Sequence, residues 1–240
     1  MYWLGWDCAC RTLAHVLLEI NEDLLASCLN RIVVLNEHLR AAGIAPLVIG
    51  ARAYECVPGH IDTRVLLKMV VEINNDLNKC FIFHSFAVVD ICPNEYIGDV
   101  FDVVRAKLLH KYLNSADIAA ELLPRKTIVV IECQPSKMSF GGSNLKSSAV
   151  SQQLAFYYCD YNARMVSPKL KNNIVFAGET LQKYQHSNKY IARKNHSKAL
   201  FCAFMRIFDC EYIKNHVPVG CLDDLADAFL QIFVARAGEI

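Results

Sequence analysis

Four acidic residues stand where the surrounding apolar pattern would not ask for a charge. Asp7 lies in the run Tyr2-Trp3-Leu4-Gly5-Trp6-Asp7-Cys8, Glu132 ends the run Thr127-Ile128-Val129-Val130-Ile131, and Asp224 and Asp227 open a segment whose later positions are almost all apolar. Burying one unpaired carboxylate is costly, and burying several in one core without a cation is costlier. Each has an ordinary reading as well. Asp7 would serve as a turn former, Glu132 as a salt-bridge partner, and Asp223-Asp224 as helix caps accepting orphan N–H groups. Asp227 is harder to dismiss, because an i, i+3 spacing from Asp224 sets both carboxylates on one helix face. Jointly the four meet a physical requirement: two Mg²⁺ ions about 4 Å apart need several hard oxygen ligands at one spot, with room for water and a phosphate. Phosphodiester hydrolysis is the chemistry such a site suits best.

Strand ends and one helix N-terminus must bring these residues together. The sequence predicts a hairpin over residues 2–20, with Arg11-Thr12 at its turn. Apolar positions Leu24, Leu25, Cys28, Leu29, Ile32, Val33 and Leu39 recur at a helical period up to Gly43, and Thr63–Leu77 repeats that period. Residues 21–79 therefore read as a mainly helical insertion. A β-rich run spans Cys80–Cys92, helical spacing runs from Ile97 to Leu113, and the clearest buried strand is Thr127–Ile131. A helix is expected from about Lys146 to Tyr158, a short strand over Asn173–Ala177, and closing helices over Tyr190–Phe208 and Asp223–Ala237, the last stopped by Gly238. This order argues for one α/β domain over residues 1–240, without a linker.

Composition bounds the function classes. The chain has 240 residues, is 54% hydrophobic and carries a net charge of +1. No apolar run reaches the ~18 residues of a membrane span and no signal-peptide pattern opens the sequence, so a soluble intracellular protein is expected. Eleven cysteines without a C-x-x-C pair read as buried thiols in a reducing compartment, with neither disulfides nor structural zinc. None of the eight histidines shows the H-x-x-x-H spacing of a zinc enzyme. The charge is unevenly spread: residues 125–198 hold twelve Lys/Arg against three acids. That segment reads either as a phosphate-binding face or as a solvated loop region.

Taken with their order and spacing, these motifs resemble those of the RuvC-like Holliday junction resolvases, in the branch found in large DNA viruses and fungal mitochondria. An opening D-x-G-x-x-N-x-A strand is matched by Asp7-Cys8-Ala9-Cys10-Arg11-Thr12-Leu13-Ala14, with Ala9 and Thr12 in place of the usual Gly and Asn. A strand ending in I-E-x-Q-P is matched by Ile131-Glu132-Cys133-Gln134-Pro135, an N-x-K-S loop by Asn144-Leu145-Lys146-Ser147, and a terminal D-D-x-x-D helix by Asp223-Asp224-Leu225-Ala226-Asp227. The basic residue that commonly precedes the D-D pair is absent from Gly220-Cys221-Leu222. The resemblance covers residues 1–20 and 80–237.

It implies an RNase H-like fold, a mixed central sheet flanked by helices, with the helical insertion following the first hairpin. It also implies a Mg²⁺-dependent endonuclease that resolves four-way DNA junctions as a homodimer, using two ions per site with Mn²⁺ as a substitute and no small-molecule cofactor. Asp7, Glu132, Asp224 and Asp227 would hold the metal. A supporting lysine is implied upstream of the last acids, with Arg193, Lys194 and Lys198 as candidates and Lys194 the best match. Gln134, Lys137, Asn144, Lys146, Arg193 and Lys198 are candidate substrate contacts, and Phe140, in a Gly-flanked loop, is a candidate for stacking an unpaired base. The helix around Lys146–Tyr158 is the expected dimer interface. A viral origin would place the protein in the host cytoplasm or at the site of viral DNA replication. Two other readings stay open: an RNase H-like nuclease for RNA/DNA hybrids or other branched DNA, and a junction-binding scaffold without turnover.

Overall fold

A computed structural model describes residues 1–9, 12–41, 48–49, 63–91, 101–115, 126–134, 143–176, 181–207, 213 and 215–237. Its organising element is a five-stranded sheet. β1 (Tyr2–Cys8) and β2 (Thr12–Ile20) form the expected hairpin, and β4 (Phe81–Asp90) pairs antiparallel with β2. β5 (Thr127–Glu132) runs parallel to β1 on its other side, and β6 (Asn162–Val166) extends the sheet parallel to β5. The order is β4-β2-β1-β5-β6. This is the expected α/β architecture, a mixed central sheet flanked by helices.

β1 and β5 are central and buried on both faces, which explains their nearly continuous apolar character. β6 is a strand that periodicity did not disclose. It is short, carries exposed Asn162 and Met165, and has one sheet neighbour among the described strands.

Two layers cover the sheet. On one face Leu4, Trp6 and Cys8 of β1 pack with Val129 and Ile131, beneath α3 (Phe101–Leu113) and α4 (Ser143–Tyr157). Cys8 thus serves as a core side chain. Of the three consecutive aromatics, Tyr158 is fully buried and Tyr157 packs against this layer, whereas Phe156 is exposed. On the other face Trp3, Val16, Leu18, Ile128 and Val130 meet α5 (Lys189–Ile207) and α6 (Leu222–Ala237).

The segment between β2 and β4 holds α1 (Glu22–Ala41) and α2 (Thr63–Cys80), with the short β3 (Val48–Ile49) paired to β7 (Val175–Phe176). Asn21 caps α1 by accepting the Leu24 N–H at 3.1 Å. Leu25, Cys28, Ile32 and Leu35 of α1 pack with Ile73 and Leu77 of α2 in the same core that α6 joins. The described cysteines are free.

α6 is buried along most of its length, which accounts for its mostly apolar sequence of Leu, Ala, Phe and Ile, broken at the buried Asp227 and Gln231. It lies against β1 at Gly5. A methyl group on Gly5 would stand 2.3 Å from the Ala228 carbonyl oxygen and 2.7 Å from Ile232 Cγ1, so only hydrogen permits this approach. The contact sets how near the acidic start of α6 comes to the end of β1.

Candidate metal centre

Sheet register fixes the first two carboxylates. Trp6 pairs with Ile131 across the parallel β1–β5 ladder, so the next residues, Asp7 and Glu132, end neighbouring strands side by side. Alternation turns both toward α6: Trp3 and Asp7 share one face of β1, as Ile128, Val130 and Glu132 share that face of β5. α6 adds Asp227 from above, one turn beyond Asp224, and Gln231 one turn further on the same side.

Asp7, Glu132 and Asp227 each offer an oxygen within 4.8 Å of the others. They are 5%, 5% and 4% exposed. Glu132 is held from both sides. Its Oε1 accepts Gln134 Nε2 at 2.8 Å, and its Oε2 accepts Gln231 Nε2 at 2.8 Å and Lys171 Nζ at 3.2 Å. Gln134 also donates to the Cys8 carbonyl at 3.2 Å, tying the end of β5 to the end of β1.

Two lysines enter the cluster. Lys171 Nζ lies 2.8 Å from Asp227 Oδ2 as well as beside Glu132. Lys194 Nζ lies 3.0 Å from Asp227 Oδ2 and 3.3 Å from both Asp223 Oδ2 and Asp224 Oδ1. A third, Lys198, stands 3.5 Å from Asp223 Oδ1. Fully ionised, the five carboxylates exceed these three ammonium groups by two charges. Asp227 Oδ1 is buried without a hydrogen-bond partner among the described residues. An orphaned carboxylate oxygen beside two other buried carboxylates fits a divalent cation, whose charge matches the excess.

Electrostatics sort the acids. Burial, reinforced by Glu132 and Asp227, pushes the Asp7 carboxyl well above the usual carboxylate range despite both lysines. Burial also works against a charged Asp227. There Lys171 and Lys194, with hydrogen bonds from Lys171 and Ser197, outweigh it and hold the carboxyl below its ordinary value. Burial opposes the charge on Lys171 and Lys194 too, but the surrounding carboxylates prevail and raise both.

Asp224 stands at the margin of the cluster. Its Oδ2 accepts the Thr12 hydroxyl at 2.7 Å and its Oδ1 faces Lys194, outside the closest set of three. Thr12, which takes the place of the asparagine usual in the resembled motif, thus orients an acid from α6 across the hairpin.

Lys194 and Gln134 lie at the site, and Lys198 reaches its rim through Asp223. Arg193 is exposed, with its Nε donating to the Lys189 carbonyl. Lys137 and Phe140 lie outside the described residues, as does the stop at Gly238, and Asn144 and Lys146 are placed only as part of the backbone of α4. Lys171 and Gln231 escaped sequence reasoning. Lys171 sits in a 3-10 turn, Leu170–Asn173, two residues from the exposed Lys169, and nothing in its neighbours distinguishes a buried lysine from a solvated one. For Gln231 a signal existed: a polar residue one turn past Asp227 in a helix otherwise apolar at that level.

No family model and no curated protein matches the chain. Among solved structures, one of Thermus thermophilus RuvC resembles it at 12% identity and a TM-score of 0.46, covering 99% of this chain and 97% of that one. At this level the likeness says nothing of chemistry, which comes from the side chains described above.

Proposed function

We propose that the chain is a divalent-cation-dependent DNA endonuclease that resolves four-way junctions. The observation that carries this reading is the meeting of Asp7, Glu132 and Asp227, from two strands and a helix, around a buried carboxylate oxygen left without a partner. The motif resemblance supports DNA junctions as the substrate and a homodimer as the working form, each subunit cutting one strand of a two-fold symmetric junction.

Asp7, Glu132 and Asp227 would hold Mg²⁺, or Mn²⁺ in its place, with Asp224 completing a two-ion set. The metal supplies activation of the attacking water and stabilisation of the charge on the leaving 3′ oxygen. Water oxygen forms the new bond to phosphorus, the P–O3′ bond breaks, and the products are a 5′-phosphate and a 3′-hydroxyl. The chain's own contribution is positioning. Gln134, Gln231 and Lys171 fix Glu132, Thr12 turns Asp224, and Lys194 places a permanent positive charge beside Asp224 and Asp227 to face a phosphate. Lys198 and Arg193 extend that positive surface along α5 for backbone contacts that report DNA shape more than base identity.

The test sets the full chain with Mg²⁺ against a four-way junction, a flap, a duplex and an RNA/DNA hybrid. Paired nicks in the junction, lost on Asp7→Asn or Asp227→Asn, are the expected result. Cleavage that survives either change refutes the metal assignment, preference for the hybrid or the flap moves the protein to another nuclease class, and junction binding without any cutting makes it a scaffold.

A further inference from the structure

Tyr190 occupies the first turn of α5, where Asn188 Oδ1 accepts its backbone N–H at 2.9 Å and begins the helix. Lys194 follows one turn later on the same face. Lys194 Nζ touches Asp223, Asp224 and Asp227 and also lies 5.9 Å from the centre of the Tyr190 ring. The ring therefore stands at the mouth of the carboxylate cluster, with an ammonium group behind it. It remains 59% exposed. Lys189 and Arg193, both exposed and one turn apart, lie together beside it on α5, so a chain of phosphates passing the cluster would meet cations next to an aromatic surface.

An open aromatic face beside cations is the pairing that binds nucleic-acid bases without reading their sequence: the ring stacks the base while the cations take the neighbouring phosphates. Resting on the nuclease reading above, we propose that Tyr190 is a substrate-positioning residue whose open face stacks the nucleobase next to the scissile phosphate. Tyr190 holds the nucleoside while the carboxylates and Lys194 face the phosphate. A base is free to leave its neighbours at a branch point or in a single strand, so the ring favours branched over continuous duplex DNA.

The experiment uses the full chain carrying Asp7→Asn, so that bound DNA stays intact, and a four-way junction with 2-aminopurine at the branch point. With Tyr190 present, binding should quench the probe. Tyr190→Phe and Tyr190→Trp should keep the quench and bind within about twofold, whereas Tyr190→Leu should lose it and bind roughly 5- to 150-fold more weakly, the range of one base–aromatic stack. In the otherwise wild-type enzyme the Leu change should raise KM, with the Phe variant restored. If Tyr190→Leu keeps the quench and the affinity, or if Trp fails as badly as Leu, the stacking role is overturned while the nuclease reading stands. If the chain with Tyr190 intact binds neither junction nor flap nor single strand, both fall together.

Discussion

Gly5→Ala isolates the contact that brings α6 to the site. Replacing a strand glycine by alanine normally stabilises a protein by about 0.4–1 kcal/mol, because the unfolded chain loses freedom. Gly5 should reverse that sign. Its new Cβ would lie 2.3 Å from the Ala228 carbonyl oxygen and 2.7 and 2.9 Å from Ile232 Cγ1 and Cδ1. Ile232 can turn its side chain away, but a backbone carbonyl moves only with its helix. Ordinary contact begins near 3.5 Å, so α6 must retreat by about 1 Å. Overpacking of this kind costs roughly 1–3 kcal/mol, which for a chain of this size lowers Tm by about 2–12 °C.

The same retreat carries Asp224 and Asp227 away from Asp7 and Glu132. A misplacement of about 1 Å at a reacting centre costs on the order of 100-fold in rate, far more than the stability loss would suggest. Urea unfolding with an unchanged slope measures the first effect, and Mn²⁺ titration with junction cleavage measures the second. A Gly5→Ala protein at least as stable as wild type, with undiminished Mn²⁺ affinity, would refute the claim that this approach sets the site.

Lys171→Met should lower the stability of the EDTA-treated protein by about 3–5 kcal/mol, since it strands the buried charges of Glu132 and Asp227, and Mn²⁺ should restore much of the loss in thermal unfolding. Asp227→Asn should weaken Mn²⁺ binding, read by calorimetry, by more than the roughly 10- to 100-fold typical of losing a group that merely supports a ligand; unchanged affinity would place the cation elsewhere. His15 is buried between Ser85 Oγ at 2.7 Å and the Tyr112 hydroxyl at 3.0 Å, and burial pushes its pKa from 6.5 down to about 4. Between those values the unfolded chain binds the proton and the folded one does not, so stability present above pH 6.5 is lost as pH falls, by about 1.4 kcal/mol per pH unit. His15→Gln should flatten that part of a urea-midpoint profile, and an identical profile would show that another group is responsible.

How much of this was legible beforehand depended on whether the signal was local. β1, β5 and α6 carry predominantly apolar patterns, and a carboxylate inside such a pattern is conspicuous wherever it falls, so Asp7, Glu132 and Asp227 stood out by contrast with their neighbours. Strand and helix periods likewise disclosed the hairpin, α1, α2, α5 and α6, because each buries one continuous face. β6 gave no such contrast, since an edge strand with exposed Asn162 and Met165 has little to distinguish it from a loop. Lys171 was silent for another reason: its chemistry is that of any surface lysine, and only the chain path from β6 back beneath α6 buries it between Glu132 and Asp227.

The division between Asp224 and Asp227 also belongs to the tertiary structure. Their spacing put both on one helix face, but the Thr12 hydroxyl holds Asp224 at the margin while the close approach of α6 to Gly5 brings Asp227 into the cluster. The sequence by itself determined which residue types were available and on which face of which element they lay, because periodicity and burial cost act over a few residues. Register, helix approach and the burial of a distant lysine decided which of them share a pocket, because those depend on contacts between segments 39 to 212 residues apart in the chain.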